Sequence, residues 1–514
     1  MALNSHNRPK RLIVFCDGTW CGRETGTDSN IEKLAGMIGA IDQTIRVGDS
    51  PTKVHSIRHT RDGVTAGYQE GIGLNKTFLE YLWDGSTASS IADECTSVYQ
   101  FIVENYTEEH EIWLFGLSRG AFTVRCVAGM INNCGIIRAR SDTSETSILC
   151  QEVYKIYRSP YDIDQPSSPQ SRAFRSNADA VWQVATPIKF MGLFDTVGSL
   201  GIPRLNAGVG FDWPEFYDQK ISSEVEKVYH AVSLHDRLWM FEPCLALRNP
   251  EAVAKNPALE IHQKWFPGCH YDLGRQAFRF VRQAPQNAVE KMLGALPDKL
   301  AHTIYPNEVL SDLVLRWMLE AIQLHDLDNL LIHDIQTKIN DATARIASPK
   351  STQPTGPTGS GDVYGNMLPY MPGGDVWTTL SHIGAKAASV LDRAVPQLGE
   401  NIQDLLGVRT ILKILLATRD RRIPGGEADV YQYQDREVFD VDSVVKEESV
   451  GRLAKVGKLY PSRTFESFLL WRSLHDRSLE GILQSEQEYL MRLLDVFSSI
   501  AGSLALDVPN TPED

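Results

Sequence analysis

Short, almost wholly apolar runs that each end at a turn-forming residue constrain this chain more than any other feature. Three such runs are Arg11–Cys16, Ile112–Phe115 and Lys189–Phe194. Runs of this length and composition are typical of strands that are buried on both faces of a parallel sheet. Apolar residues at helical spacing separate the runs, in 91–102 and again in 121–131. We therefore predict the α/β class, with a mostly parallel sheet flanked by helices.

The pattern changes after about residue 310. Helical periodicity recurs in residues 313–322, 377–398 and 465–504. Residues 348–361 are rich in Ser, Thr, Pro and Gly, which is typical of a flexible loop or linker. We predict a catalytic α/β unit at 1–310 and an additional, mainly helical region at 311–514.

Charge and composition exclude several classes of protein. The formal net charge is -14, without a long basic block, so we do not expect a nucleic-acid partner. No run of about 18 apolar residues occurs that could span a bilayer, and the N-terminal apolar run is too short for a signal peptide. The eight cysteines form no C-x-x-C pair. We therefore expect a cytoplasmic protein with reduced thiols and no metal.

The segment Gly116-Leu-Ser-Arg-Gly120 matches the G-x-S-x-G motif of serine hydrolases. The pentapeptide alone is a weak signal, but it lies between the apolar run 112–115 and a helix that begins near Arg119, which is the strand–turn–helix setting of a nucleophile elbow. Glycines on both sides of Ser118 would allow the strand and the helix to approach each other. We predict that Ser118 is a nucleophile.

A serine nucleophile needs a base, and the base needs an acid that fixes its tautomer. Asp195 follows the run 189–194, and His270 follows the apolar segment 265–269, so the order Ser, Asp, His agrees with that of α/β-hydrolases. Capping of the next helix is a comparable explanation for Asp195. Three nearby histidines compete with His270 for the base, namely His230, His235 and His262.

An oxyanion hole needs backbone N–H groups that point to the developing charge. We expect one donor from Arg119, directly after the nucleophile, and a second from Gly18 or Thr19 in the turn after the first strand. The supporting residues of the site would be Asp17, Gly116, Gly120 and Asp272.

Two other classes of protein share parts of this pattern. The Asp17-Gly-Thr turn is similar to the first motif of haloacid-dehalogenase-like phosphatases, but these enzymes need an aspartyl nucleophile two residues earlier, where this chain has Phe15. A catalytically inactive, hydrolase-like binding protein stays open as an alternative, although all three types of triad residue are present.

Several segments together resemble the catalytic domain of the first class of type VI secretion phospholipase effectors, a family with bacterial and many fungal members. The matching segments are Phe15–Trp20, Gly116–Phe122, Gly192–Gly198, His230–Arg237 with Phe241–Pro243, and Trp265–Gly274. The resemblance covers roughly residues 10–320. It implies an α/β-hydrolase fold, a triad of Ser118, Asp195 and His270, and hydrolysis of carboxylic esters without a cofactor.

The chain departs from this family in two ways. The family usually continues the histidine motif with a glycine run, whereas here Arg275 and Gln276 follow Gly274. The C-terminal helical region shows no match. A phospholipid substrate is therefore implied only by the resemblance, and an esterase that acts on a small non-lipid metabolite is the alternative.

The segment 377–398 has one apolar face that includes Trp377. Packing against the hydrolase core explains most amphipathic helices, and we favour it over an interfacial helix that lies on a bilayer. Lys386 and Arg393 are the only positively charged residues on the polar face, so we expect at most weak peripheral membrane contact. We also expect activity on short-chain esters.

Overall fold

The structure is a computed structural model. It describes residues 9–18, 28–41, 53–71, 87–198, 220–233, 236, 241, 243–247, 250–266, 268–277, 306, 308–347 and 436–438. The loop predicted at 348–361 and the helices predicted at 377–398 and 465–504 lie outside these residues.

The described strands form one sheet. They are β1 Lys10–Cys16, β2 Val54–Ser56, β3 Val64–Gln69, β4 His110–Leu117, β5 Ile188–Phe194, β6 Val225–Ser233, β7 Glu260–Phe266 and β8 Arg436–Val438. Their order is β2-β3-β1-β4-β5-β6-β7-β8. The edge strand β2 pairs antiparallel with β3, and the other described pairs are parallel. The predicted α/β class and its mostly parallel sheet are confirmed.

Helices cover both faces of this sheet. The described helices are α1 Asn30–Ile38, α2 Thr87–Asn105, α3 Arg119–Cys134, α4 Thr143–Tyr157, α5 Pro169–Arg175, α6 Pro250–Lys255, α7 His270–Gly274, α8 Glu308–His325 and α9 Ile335–Ala347. Side chains of β1 alternate between two cores, because successive residues of a strand point to opposite faces. Leu12 and Val14 lie in the core with α2, α3 and α4, whereas Ile13 and Phe15 lie in the core with α1, α8 and α9. This burial on both faces explains the continuous apolar runs of the sequence.

Helix α8 begins at Glu308 and therefore crosses the boundary predicted at residue 310. Its residues Leu315 and Met318 are fully buried in the same core as Phe190 of β5. The division into 1–310 and 311–514 stays a prediction, and α8 packs on the sheet of the first part.

The central parallel strands have their carboxyl ends side by side, along one edge of the sheet that runs across the strands. In the strand register Cys16 lies beside Gly116, Leu117 beside Phe194, and Phe194 beside Ala231. Ligands of open α/β sheets bind outside the carboxyl ends of the strands. The residues that follow these ends include Ser118 and Asp195, so the predicted site lies where the fold class favours one.

Candidate active site

Ser118 occupies the turn between β4 and α3, in a strained backbone conformation. Its φ is 57° and its ψ is -119°, a region that residues other than glycine seldom adopt. Two hydrogen bonds hold this turn on the neighbouring strand end, from Ser118 N–H to the Phe194 carbonyl at 2.8 Å and from Val197 N–H to the Ser118 carbonyl at 3.3 Å. Strain of about 1–3 kcal/mol persists only where the surroundings enforce it, and such strain clusters at functional sites.

The two glycines of the motif allow close backbone contacts on both sides of the turn. A Cβ atom at Gly120 would lie 2.2 Å from the Cys16 carbonyl oxygen and 2.6 Å from that of Asp17. A Cβ atom at Gly116 would lie 2.5 Å from backbone atoms of Ala121. Since backbone atoms cannot move aside as a flexible side chain can, both positions require glycine in this geometry.

Asp195 follows β5 and is completely buried, also with a positive φ, of 40°. Its N–H donates to the Ala231 carbonyl at 2.7 Å, which ties it to β6. One carboxylate oxygen, Oδ1, accepts a hydrogen bond from the Ser233 N–H at 2.9 Å. The other, Oδ2, lies 2.7 Å from Nδ1 of His270.

His270 is the first residue of the short helix α7 and is 1% exposed. Its backbone N–H donates to Oδ2 of Asp236 at 3.0 Å, and Oδ2 of Asp272 accepts from the Cys269 N–H at 2.8 Å. Helix α7 packs against the residue before the nucleophile, because a Cβ at Gly274 would lie 2.8 Å from the side chain of Leu117. The predicted acid and base are thus bonded to each other, and both adjoin the Ser118 turn.

The third contact of a triad, between the Ser118 hydroxyl and the His270 imidazole, is not among the hydrogen bonds of the described residues. Catalytic hydrogen bonds are often long without substrate and tighten when the substrate binds. Because Nδ1 of His270 faces Asp195, Nε2 is the nitrogen that remains for a serine proton.

Asp17 organises the turn after β1. Its Oδ2 accepts hydrogen bonds from the Ser29 hydroxyl at 2.5 Å and the Tyr68 hydroxyl at 2.7 Å. Its Oδ1 accepts from the Gly18 N–H at 2.8 Å, so this predicted oxyanion donor is already engaged in the structure. Thr19 lies outside the described residues.

Arg119 begins α3, with its side chain buried beneath the turn. Its guanidinium lies 3.0 Å from Glu94 of α2, and both side chains are no more than 5% exposed. Thr123 Oγ1 also donates to Glu94, at 3.1 Å. Burial raises the pKa of the Glu94 carboxyl, and the neighbouring Arg119 charge opposes this rise. The pair ties the first turn of the nucleophile helix to α2, which fixes the backbone N–H of Arg119.

Residues 10–321 match the family described as "T6SS, Phospholipase effector Tle1-like, catalytic domain". The chain belongs to this family. This family description names the catalytic domain of a phospholipase effector, which supports a phospholipase-like hydrolase and agrees with the family resemblance of the sequence.

One curated relative is the uncharacterized protein YEL023C of Saccharomyces cerevisiae, 28% identical over 254 residues. The match covers 46% of this chain and 33% of the yeast protein, so the chain spans only a third of that relative's length. The solved structures that match include the following two. The Tle1 effector bound to the VgrG spike of the type 6 secretion system has 14% identity and a TM-score of 0.30, covering 71% of this chain and 84% of that one. An uncharacterized protein from Pseudomonas aeruginosa has 13% identity and a TM-score of 0.27, covering 86% of this chain and 66% of that one.

The three competing histidines differ in their surroundings. His230 is completely buried, and its Nε2 accepts from the Thr196 N–H at 3.2 Å while its Nδ1 lies 3.0 Å from Oε1 of Gln263. Both ring nitrogens are therefore in use, which excludes His230 as the base in this arrangement. His262 stacks on Tyr229 and pairs with Glu260, on a strand rather than at a strand end. His235 lies outside the described residues.

Sequence reasoning missed three neighbours of the acid and the base: Ser233, Asp236 and Phe241. All three lie within the segments His230–Arg237 and Phe241–Pro243 that resemble the family. The Phe241 ring stacks on the His270 imidazole, with centroids 4.7 Å apart. Those segments were the signal that could have identified them.

Within the described part of the chain, no three His, Cys, Asp or Glu side chains come together in a way that could hold a metal ion. Seven cysteines lie in that part, and all are buried, including Cys269 beside the base. No described helix is both long and apolar enough to cross a membrane.

Proposed function

We propose that this chain is a serine hydrolase that cleaves carboxylic esters, with Ser118 as nucleophile, His270 as base and Asp195 as the acid that orients the base. The observation that carries this proposal is the 2.7 Å contact between His270 Nδ1 and Asp195 Oδ2, at the strand edge that also carries the strained Ser118 turn. A buried carboxylate on Nδ1 holds the tautomer in which Nε2 can accept a proton.

The reaction is two-step acyl transfer. His270 Nε2 takes the Ser118 hydroxyl proton as Oγ attacks the ester carbonyl, and the same proton then goes to the leaving alcohol. Water then attacks the acyl-serine carbonyl while His270 Nε2 takes one of its protons, and His270 returns this proton to Ser118 Oγ as the bond to the acyl group breaks and the carboxylic acid leaves. The Arg119 N–H, at the positive end of α3, is the first proposed donor to the oxyanion. The second proposed donor is a backbone N–H of Gly18 or Thr19. Gly18 can supply it only if its N–H no longer donates to Asp17.

The proposed substrate class is a lipid ester, supported by membership of a phospholipase-like family. The net charge of -14 favours an uncharged or zwitterionic lipid surface over an anionic one. Acid release is measured from phosphatidylcholine vesicles, phosphatidylglycerol vesicles and monomeric p-nitrophenyl butyrate. These substrates distinguish activity on a zwitterionic lipid surface, on an anionic lipid surface and on a soluble ester. Hydrolysis of p-nitrophenyl butyrate alone would assign the chain to esterases of small, non-lipid substrates.

The nucleophile is tested directly with a fluorophosphonate probe, which reacts with activated serines. The purified chain is labelled, digested and mapped by mass spectrometry, with Ser118→Ala as the matched control. We expect one labelled peptide, containing Ser118, and no labelling of the variant. Labelling at another serine, or equal labelling of Ser118→Ala, would overturn the proposed function.

A further inference from the structure

The imidazole of His270 has an aromatic ring lying flat against one face. The ring of Phe241 is 4.7 Å from it, centroid to centroid, with an angle of 8° between the planes. Phe241 is 6% exposed and His270 is 1% exposed, so the stack is shielded from water. Tyr271 meets both rings at 86°, which blocks rotation of the imidazole on another side.

The chain segment just after Phe241 is fixed to the rest of the site. The N–H of Cys244 donates to the Thr196 carbonyl at 2.7 Å, directly after the acid Asp195. Arg125 of the nucleophile helix α3 donates to the carbonyls of Cys244 and Leu245. The position of the Phe241 ring is thereby coupled to the elements that carry the acid and the nucleophile.

A second anchor lies at Ala246. Its N–H donates to Oε1 of Gln263 at 2.8 Å, and the same oxygen lies 3.0 Å from Nδ1 of the buried His230. Since His230 Nε2 in turn accepts from the Thr196 N–H, these contacts form a closed set around the acid. Loops that only connect elements are seldom anchored at so many buried points.

This geometry has a chemical consequence. During acyl transfer the imidazole becomes positively charged, while the face of an aromatic ring carries partial negative charge. A cation over such a face is stabilised, and more strongly when water is excluded. The stack with Phe241 therefore stabilises the protonated imidazole of His270 more than the neutral one.

We propose that Phe241 is a positioning residue that holds the plane of the His270 imidazole and stabilises its protonated form during ester hydrolysis. This inference rests on the proposed function, since it assigns Phe241 a role only if His270 is the base. It predicts an effect on the chemical step, and therefore on kcat, rather than on substrate binding.

Fluorinated phenylalanines separate this role from simple packing, because fluorine withdraws charge from the ring face with little change of shape. We would incorporate 4-fluoro-, 3,4,5-trifluoro- and pentafluorophenylalanine at position 241 of the full chain and measure kcat and KM with p-nitrophenyl butyrate. We expect kcat to fall stepwise with each fluorine, by about 3- to 30-fold in total, with KM nearly constant. Phe241→Leu should lie at the low end of this series, and Phe241→Tyr should keep most of the activity.

Phe190 provides the matched control. It is a fully buried phenylalanine that stacks on Trp113 at 5.0 Å and lies in the interior of β5, before the strand end that carries Asp195. The same fluorinated series at position 190 should leave kcat unchanged.

The possible results separate this inference from the proposed function. A flat series at position 241, an equal fall at position 190, or a change in KM alone would overturn the role of Phe241 while Ser118 is still labelled by the fluorophosphonate. Absence of both ester hydrolysis and Ser118 labelling in the unmodified chain would overturn both proposals.

Discussion

Asp195 binds His270 with one carboxylate oxygen while its other oxygen is held by the backbone of β6. Oδ2 lies 2.7 Å from Nδ1 of His270, and Oδ1 accepts the Ser233 N–H at 2.9 Å. The two oxygens are therefore not equivalent, and the orientation of the carboxylate is fixed. Because the backbone N–H of Ser233 can only donate, an amide at position 195 would turn its oxygen toward that N–H.

Asp195→Asn should consequently present its NH₂ group to Nδ1 of His270 and hold the imidazole in the wrong tautomer. We expect kcat on p-nitrophenyl butyrate to fall by about 10⁴-fold, with little change in the melting temperature. Steady-state kinetics and a thermal unfolding curve check both parts.

Asp236→Asn is the control for that change. Asp236 Oδ2 accepts the backbone N–H of His270 at 3.0 Å rather than its imidazole, and an amide oxygen can accept the same bond. We expect kcat to fall less than about tenfold. A loss at Asp236 that exceeds the loss at Asp195 would show that the acid had been assigned to the wrong aspartate.

Gly120→Ala should destabilise the elbow, because its Cβ would lie 2.2 Å from the carbonyl oxygen of Cys16. We expect a loss of about 2–3 kcal/mol or more in the free energy of unfolding, together with loss of ester hydrolysis. Urea denaturation followed by tryptophan fluorescence gives the first quantity.

Gly36→Ala is the matched substitution, since Gly36 is an exposed residue of α1 and its added Cβ would meet nothing within 4 Å. Here alanine should stabilise the helix by about 0.5–1 kcal/mol. If both alanines had similar effects, close packing beneath the elbow would not explain the glycine at position 120.

The strands that the sequence predicts well are those whose apolar runs are uninterrupted. β1 and β5 were predicted to within one residue and β4 to within two residues at each end, because both of their faces are buried against helices. Strand β6 was not predicted, since Glu226 and Lys227 interrupt its apolar pattern. Lys189 lies 2.6 Å from Glu226, and Lys227 lies 2.5 Å from Glu260 on β7. These cross-strand pairs accommodate the charges, and they cannot be inferred before the strand order is known.

The same distinction applies to the candidate site. Ser118, Asp195 and His270 could be selected because each follows an apolar segment that ends at the same edge of the sheet. The partners of Asp195 and His270 could not, because Ser233 and Phe241 reach them from other chain segments. Their roles depend on the sheet register and on where Phe241 lies after β6, which local sequence patterns do not encode.

His325 should make the fold sensitive to acid. Burial, followed by the nearby charge of Lys227, lowers the pKa of His325 to about 4. The unfolded chain binds this proton below about pH 6.5, whereas the folded chain binds it only near pH 4. Stability from this group is therefore complete above pH 6.5 and is lost as the pH falls toward 4.

His325→Gln tests this pH dependence, because glutamine keeps a partner for the Tyr229 hydroxyl, 3.0 Å from the ring nitrogen, and does not titrate. We expect the free energy of unfolding to fall less between pH 7.5 and pH 5 in the variant than in the unmodified chain. The free energy of unfolding is measured by urea denaturation at the two pH values. If it falls equally in the variant and in the unmodified chain, His325 is excluded as the source of the pH dependence.

Arg275 follows the helix of the base and has a φ of 56°, which costs a residue other than glycine about 1 kcal/mol or more. Its buried guanidinium pairs with Asp312 of α8 and donates to Asn30 of α1 at 3.1 Å. Arg275→Gly would relieve the backbone but remove both contacts. We expect a net loss of about 2 kcal/mol in the free energy of unfolding, because losing one partner of a buried ion pair outweighs the relief.

Arg345→Met gives the matched comparison, since Arg345 pairs with the same Asp312 at 2.9 Å but is 45% exposed and lies on α9, away from the base. Exposed pairs contribute at most about 1 kcal/mol, so this variant should lose less stability and keep its kcat. In Arg275→Gly, by contrast, kcat should fall even where the protein is fully folded, because α7 keeps the Ser311–Asp272 hydrogen bond to α8 but loses the ion pair beside it, so the His270 imidazole is held less firmly. Full activity of folded Arg275→Gly would mean that this ion pair stabilises the fold without positioning the base.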